Sequence, residues 1–184
     1  MLIQLLTQHP EALGSIVKNT PAWVWGLMAA LLALGISQMA DRELTLRRVI
    51  VTPIAMLGLS LYGIFSAFGN GGQLGAAMLT WSITAAVSAA LMLRVSAPAG
   101  TGYDARSGQF SVPGSVVPLL LILGIFLTKY AVGVELAMQA NQARDAAFVL
   151  PVAMLYGAFN GIFAGRALRL LRLAQPLTLK LNPT

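Results

Sequence analysis

The sequence predicts an all-α polytopic membrane bundle of five transmembrane helices, with the N-terminus outside and the C-terminus inside. Five long apolar runs fill most of the 184 residues, and basic residues collect on alternate connections between them. Apolar residues make up 57% of the chain and charged residues 10%, whereas a soluble domain carries about 25% charged residues. These observations favour a single integral membrane domain over residues 1–184.

The five apolar runs each have about the length that an α-helix needs to cross a hydrocarbon layer of roughly 30 Å. The first three contain no acidic residue and no Lys, Arg or His. Pro21 suits the start of the first helix, where the missing N–H costs no intrahelical hydrogen bond. The predicted helices cover residues 21–40, 49–68, 74–93, 116–138 and 147–165.

The basic residues predict the orientation. Nine of the 12 Lys and Arg fall on one side of a five-span bundle: Arg42, Arg47, Arg48, Arg94, Arg106, Arg166, Arg169, Arg172 and Lys180. The other side holds Lys18 and Arg144. Because basic residues are retained in the cytoplasm, we expect these nine to meet anionic lipid headgroups at the cytoplasmic face. No aromatic-rich basic stretch is present, so we expect no nucleic acid partner.

The longest connection, residues 94–115, is predicted to be cytoplasmic and to contain a small hairpin over Tyr103–Phe110. Asp104 suits the first position of a type I turn, and Gly108 suits the left-handed position that closes it. Tyr103 and Phe110 would then pair across the two strands.

Lys129 and Glu135 are ionisable residues inside the fourth apolar run, so they are candidates for an intramembrane polar site together with Tyr130. A Lys within the bilayer usually faces the bundle interior or a wet cavity and marks a functional site. The alternative is that its stem carries the ammonium to the outer headgroups, beside Tyr130. Six residues on a helix are about 240° of rotation, so Glu135 does not share a face with Lys129. Its position near the helix end predicts a solvated carboxylate rather than a proton relay.

The fifth apolar run combines a central Asn160 with closely spaced small residues. Gly157, Gly161 and Gly165 form a glycine seam that lets another helix approach closely, and Asn160 can form a hydrogen bond across such a contact. The second helix offers a partner stripe at Ser60, Gly63 and Ala67. The seam predicts helix packing, either within one chain or in a homo-oligomer.

The second and fifth helices also resemble each other. Pro53–Leu57 matches Pro151–Leu155, and Gly63–Phe65 matches Gly161–Phe163 at the same offset of 98 residues. Common ancestry would make this an inverted-topology repeat, which many secondary transporters contain. The alternative is chance, because apolar segments share few residue types.

The sequence shows none of the residue patterns that usually carry catalysis. The chain has no cysteine, and its one histidine is His9. Paired intramembrane carboxylates, nucleophile–histidine arrangements and phosphate-binding loops are also absent. We therefore expect no enzyme activity, no catalytic residue, no metal site and no cofactor.

The N-terminal segment lacks the pattern of a secretory signal peptide, because it has no basic start and Pro10 and Glu11 interrupt its apolar residues. Leu2–Val17 predicts either a short amphipathic piece on the membrane surface or a plain extension.

Four segments together resemble a family of small bacterial multi-pass inner-membrane proteins of unknown function. They are Thr20–Trp25, Leu59–Gly63, Tyr103–Ser115 and Phe126–Gly133. The resemblance covers about residues 16–174 and is most specific around Lys129, whereas residues 1–14 look like an extension beyond the usual start. It implies a location in the bacterial inner membrane and supplies no activity, cofactor or catalytic residue.

Two functions remain open from the sequence. The first is a non-catalytic membrane protein that acts as a subunit or scaffold of a membrane complex through the glycine seam. The second is a small dimeric transporter or channel-like protein in which Lys129 and Asn160 line an anion or proton path.

Overall fold

The computed structural model describes Gly14 and residues 18–181, with side chains up to Ala174. Apart from Gly14, the segment Leu2–Val17 lies outside the described residues. The described part is all-helical except for a small sheet. The helices are α1 (Ala22–Ser37), α2 (Leu46–Phe68), α3 (Leu74–Arg94), α4 (Val117–Met138), a 3₁₀ helix (Ala140–Arg144) and α5 (Ala146–Leu181). The strands are β1 (Arg42–Thr45), β2 (Gly102–Asp104) and β3 (Gln109–Val112).

Four of these helices, α2, α3, α4 and the portion Ala146–Ala174 of α5, are long and apolar enough to cross a membrane. The first helix is apolar but has 16 residues, which span about 24 Å at 1.5 Å per residue. The predicted count of five spans is therefore not confirmed.

Although short, α1 lies along α4. Gly35 approaches Leu119 closely near one end of the pair, and the Thr20 hydroxyl contacts the Tyr130 hydroxyl near the other. The two helices therefore run in opposite directions, and α1 lies beside the part of α4 between Leu119 and Tyr130.

Three boundaries differ from the sequence prediction by three residues or more, and one of them is the end of α1, which lies at Ser37 instead of residue 40. The fifth helix continues to Leu181 instead of ending at residue 165, because the Leu and Arg residues that follow Gly165 are good helix formers. Arg47 and Arg48 lie in the first turn of α2 rather than in the connection before it. Both α2 and α5 continue through Pro53 and Pro151, so neither helix is interrupted there.

The glycine seam of α5 packs against α3, not against the α2 stripe that the sequence suggested. A Cβ atom at Gly157 would lie 2.5 Å from the Trp81 carbonyl oxygen, and one at Gly165 would lie 2.9 Å from the Ala89 carbonyl oxygen. Gly161 faces the Ala85 carbonyl oxygen in the same way. The contact points advance together along both helices, so α3 and α5 are parallel and touch backbone to backbone.

A buried apolar cluster holds α2, α3, α4 and α5 together near the end where α2 stops. Its buried members are Ile64, Phe68, Ala77, Trp81, Val132, Val149, Val152, Ala153 and Tyr156. One member of this cluster, Tyr156, also belongs to the candidate site.

The predicted hairpin is present at the other end of the bundle. Tyr103 pairs with Phe110, and their ring centroids are 4.8 Å apart. Gly108 has φ +67°, a conformation that glycine adopts without a Cβ penalty. The Asp104 carboxylate accepts hydrogen bonds from the Arg106 backbone N–H (2.9 Å) and the Ser107 hydroxyl (2.8 Å).

The sheet has a third strand that the sequence analysis missed. β1 pairs antiparallel with β3, with Arg42 opposite Val112, so the strand order is β1-β3-β2. The chain enters β1 close to the end of the hairpin, where Gly114 N–H donates to the Asp41 carboxylate at 2.7 Å. A Cβ at Gly114 would collide with the Met39 carbonyl oxygen, so this crossing requires glycine.

Candidate functional site

A cavity of about 570 Å³ lies between α1, α2, α4 and α5. Its walls are almost entirely apolar and include Trp23, Leu27, Leu31, Met56, Leu59, Ile122, Ile125, Phe126, Phe159 and Phe163. Its polar groups come from Lys129, Tyr130, Asn160, Tyr156, Ser60 and Tyr62. The structure thus brings together three of the predicted site residues, Lys129, Tyr130 and Asn160.

The Lys129 ammonium lies on the cavity wall between α2 and α5. Its Nζ is 5.3 Å from the centroid of the Tyr156 ring, a distance at which a cation is attracted to an aromatic face. It also fills the space beside Gly63, where a Cβ atom would lie 2.6 Å from Nζ. No carboxylate of the described residues acts on it. The site therefore presents an unpaired positive charge to an apolar cavity.

Tyr130 joins the Lys129 region to the beginning of α1. Its hydroxyl and the Thr20 hydroxyl are 2.5 Å apart, and its ring stacks on Phe126 with centroids 6.4 Å apart. This hydrogen bond positions the start of α1 at the edge of the cavity. Lys129, the only ionised side chain among the described residues of the cavity wall, lies next to it.

Asn160 lies one turn after Tyr156 on α5. Its amide Nδ2 donates to the Tyr156 carbonyl oxygen at 2.9 Å, so the expected hydrogen bond to another helix is not formed within the part of the chain that the structure describes. Hydrogen bonding to its own helix fixes the orientation of the amide at the cavity wall.

Ser60 and Tyr156 belong to the site, although the sequence analysis assigned them no role there. The Trp81 indole N–H donates to the Ser60 hydroxyl at 3.0 Å, and both residues are buried. Tyr156 is 5% exposed and supports Lys129. Ser60 is three residues from Gly63 on α2, and Tyr156 is four residues from Asn160 on α5. Each pair therefore lies on one face of its helix.

Glu135 does not join this site. It lies at a separate cavity of about 660 Å³, together with Thr128, Gln142 and Asp145. Its side chain is 2% exposed, and neither carboxylate oxygen has a hydrogen-bond partner among the described residues. The predicted solvated carboxylate was therefore wrong, because the 3₁₀ helix and the start of α5 fold back beside this end of α4.

The acidic residues that the structure describes form no cluster that suits a metal. Over Gly14 and residues 18–181, no group of three or more His, Cys, Asp or Glu residues can hold a metal ion.

The sequence matches the family described as "Family of unknown function (DUF6622)" over residues 1–178. The chain belongs to the DUF6622 family. Because the match begins at residue 1, residues 1–14 are part of the DUF6622 sequence, and the expectation of an extension there was wrong. No curated protein and no solved structure matches the chain.

Proposed function

We propose that the chain is a non-catalytic protein of the bacterial inner membrane that binds an amphipathic anion in the Lys129 cavity. Membrane placement is supported by helices whose apolar side chains face outward. The membrane-length apolar segment of α3 is an example, because only 11% of it is buried inside the chain. An apolar helix surface that no other helix covers is typical of contact with lipid.

The proposed topology is five passes with the N-terminus outside. In a chain that crosses the membrane five times, odd-numbered and even-numbered helices run in opposite directions. The antiparallel pair α1 and α4 and the parallel pair α3 and α5 fit this pattern. The basic residues at the sheet end of the bundle support placing that end in the cytoplasm. α1 would be a short, first pass that the bilayer accommodates by local thinning.

The ligand class follows from the cavity. Apolar walls suit a hydrocarbon or aromatic body, whereas the Lys129 ammonium suits an anionic head. An ammonium within the membrane is costly and is normally paired or hydrated. Here the Lys129 ammonium rests on an aromatic face instead of a carboxylate, so a carboxylate or similar anion is the partner that it lacks. This unpaired charge on an otherwise apolar cavity is the observation that carries the proposal.

The scaffold hypothesis loses its main support. It relied on the glycine seam as a surface for a partner, and that seam contacts α3 within the same chain. The proposal of a homodimer through the same seam loses its support for the same reason.

A transporter is the second candidate, because the cavity brings Lys129 and Asn160 together as the transport hypothesis requires. Transport adds a translocation step to the proposed binding step. Vesicles that contain the purified protein test it: the wild type should carry an amphipathic carboxylate across the bilayer, and Lys129→Met should not.

The binding proposal is tested with the protein in lipid nanodiscs and a fluorescent long-chain fatty acid as probe. The wild type should bind the acid more tightly than its neutral methyl ester, because only the acid can pair with Lys129. Lys129→Met should lower the affinity for the acid by about tenfold or more, as loss of a charge-assisted hydrogen bond predicts. Affinity for the ester should change little.

Lys18→Met is the matched control, since Lys18 is exposed and lies in the segment that precedes α1. It removes the same charge from the same proposed side of the membrane but not from the cavity. Equal losses in Lys18→Met and Lys129→Met would mean that the acid binds to the general positive charge of the surface. Equal affinities of the wild type for acid and ester would reject the proposed site.

A further inference from the structure

A group of arginines lies at the opposite end of the bundle from the Glu135 cavity, where β1 meets α5. Arg42 begins β1 and shares a strand face with Leu44, because alternate residues of a strand point to the same side. Leu44 packs against a second buried apolar cluster, which includes Phe110, Val112 and Ala167. Arg42 therefore lies on the strand face that packs toward α5 and is partly buried, and this burial lowers its pKa from the ordinary arginine value.

Arg166 lies on the part of α5 that approaches Arg42, and Arg169 lies beside Arg166 on the same helix. They are three residues apart, which makes them neighbours on the helix surface, and the charges of Arg42 and Arg169 both act on Arg166. Arg169 also holds the end of α3, since its Nη1 donates to the carbonyl oxygens of Val95 (3.1 Å) and Ser96 (3.0 Å). The Arg169 Nε is buried and has no hydrogen-bond partner among the described residues.

No carboxylate of the described residues acts on Arg42 or Arg166. The two acidic neighbours of Arg42 are engaged elsewhere. Asp41 accepts a hydrogen bond from Gly114 N–H, and Glu43 lies on the other face of the sheet, at a surface depression with Asp104 and Ser111. Three partly buried arginines are thus gathered at one corner of the bundle, and no carboxylate of the described residues forms an ion pair with them.

Mutual repulsion and lost hydration both oppose this arrangement, and a bound anion would offset both. Guanidinium groups bind phosphate oxygens through paired, charge-assisted hydrogen bonds. We propose that Arg42, Arg166 and Arg169 form a binding site for a phosphate group at the inner end of the bundle. The phosphate belongs either to the headgroup of an anionic lipid or to a free phosphate ion. This site is separate from the Lys129 cavity, and only its lipid source rests on the proposed membrane placement.

The test compares the two phosphate sources on the purified full-length chain. For the lipid source, thermal stability is measured in vesicles of phosphatidylcholine alone and of phosphatidylcholine mixed with phosphatidylglycerol. For the free ion, stability in detergent is measured with sodium phosphate and with sodium chloride at equal ionic strength. Stabilisation by phosphatidylglycerol only identifies a lipid site, and stabilisation by phosphate as well identifies a site for the free ion. Stabilisation by neither overturns the proposal.

Variants then locate the effect. Arg42→Gln and Arg166→Gln should each weaken binding of the stabilising anion by about tenfold, because each removes charge-assisted hydrogen bonds. Arg106→Gln is the control: it removes one positive charge at an exposed turn of the same sheet. Arg169 is left unchanged because it also donates to the carbonyl oxygens of Val95 and Ser96, which follow α3. Arg42→Lys retains the charge and the fold but loses the paired geometry, so it should show a partial loss. An equal loss in Arg106→Gln overturns the proposed site.

Discussion

The Lys129 ammonium lies over the Tyr156 ring, with Nζ 5.3 Å from the ring centroid. These two residues come from α4 and α5 and meet directly above Gly63 of α2. Three helices therefore determine where the positive charge sits. Lys129 has no carboxylate partner among the described residues, so its position depends on the aromatic face and on the space that Gly63 leaves open.

Gly63→Ala should displace the ammonium without unfolding the protein. The new Cβ would lie 2.6 Å from Nζ and 3.5 Å from Tyr156 Cε2, and the flexible end of Lys129 can move away. Affinity for the fatty acid probe should fall, whereas the thermal midpoint should stay close to that of the wild type. Gly58→Ala on the same helix has nothing within 4 Å and should leave binding unchanged while stabilising the helix by about 1 kcal/mol or less. Equal binding by Gly63→Ala and the wild type would contradict the positioning role of Gly63.

Gly161→Ala should destabilise the folded chain. Its Cβ would meet the Ala85 carbonyl oxygen and lie 2.6 Å from the Ser88 Cβ, so α3 and α5 must separate. Overpacking of this kind costs about 1–3 kcal/mol. Unfolding in detergent measures the effect, and light scattering on the same sample reports the oligomeric state, which should not change.

Gly133→Ala is the control for the seam, because nothing lies within 4 Å of its added Cβ. If Gly161→Ala lost oligomers while its stability stayed unchanged, the seam would instead be assigned to an interface between chains.

Local patterns explain what the sequence could predict. The boundaries of α2, α3 and α4 fall within three residues of the prediction, because polar residues bracket each apolar run. The hairpin follows from turn chemistry at Asp104 and Gly108. Both kinds of signal are confined to neighbouring residues, so they need no knowledge of the rest of the chain.

Contacts between distant segments explain the failures. Arg42–Thr45 is too short and too charged to be recognised as a strand, and it becomes one only because β3 offers a free edge. A glycine seam shows that a helix approaches but not which helix, so α3 could not be distinguished from α2. The burial of Glu135 depends on the chain after α4 folding back beside it. The site itself was only partly predicted, since Tyr156 acquires its role through Lys129 of another helix.

The hairpin should loosen in acid. Hydrogen bonds from the Arg106 backbone N–H and the Ser107 hydroxyl lower the pKa of Asp104 below its ordinary value of 3.8. The ionised carboxylate thus stabilises the turn above pH 3.8, and this contribution is lost as the pH falls through the lower folded pKa. Exchange of the Gly108 amide, whose N–H donates to the Asp104 carbonyl oxygen at 2.9 Å, should become less protected in that range, beyond its intrinsic pH dependence. Asp104→Asn removes the titration, so a loss of protection that persists in this variant would assign it to another group.

Glu135→Leu should stabilise the folded chain. Both Glu135 oxygens are buried without a hydrogen-bond partner among the described residues, and leaving such a group unsatisfied costs about 1–3 kcal/mol. Leucine has a similar size and removes the polar atoms, and the neighbouring Val132 and Leu136 already belong to or pack against the main apolar cluster. Thermal unfolding in detergent should therefore show a higher midpoint for Glu135→Leu than for the wild type. Glu135→Gln removes the charge but keeps an unsatisfied polar group, so it should raise the midpoint less than Glu135→Leu does. A lower midpoint in Glu135→Leu would show that the carboxylate is satisfied by a partner, and Glu135 would then become a second ionisable site distinct from Lys129.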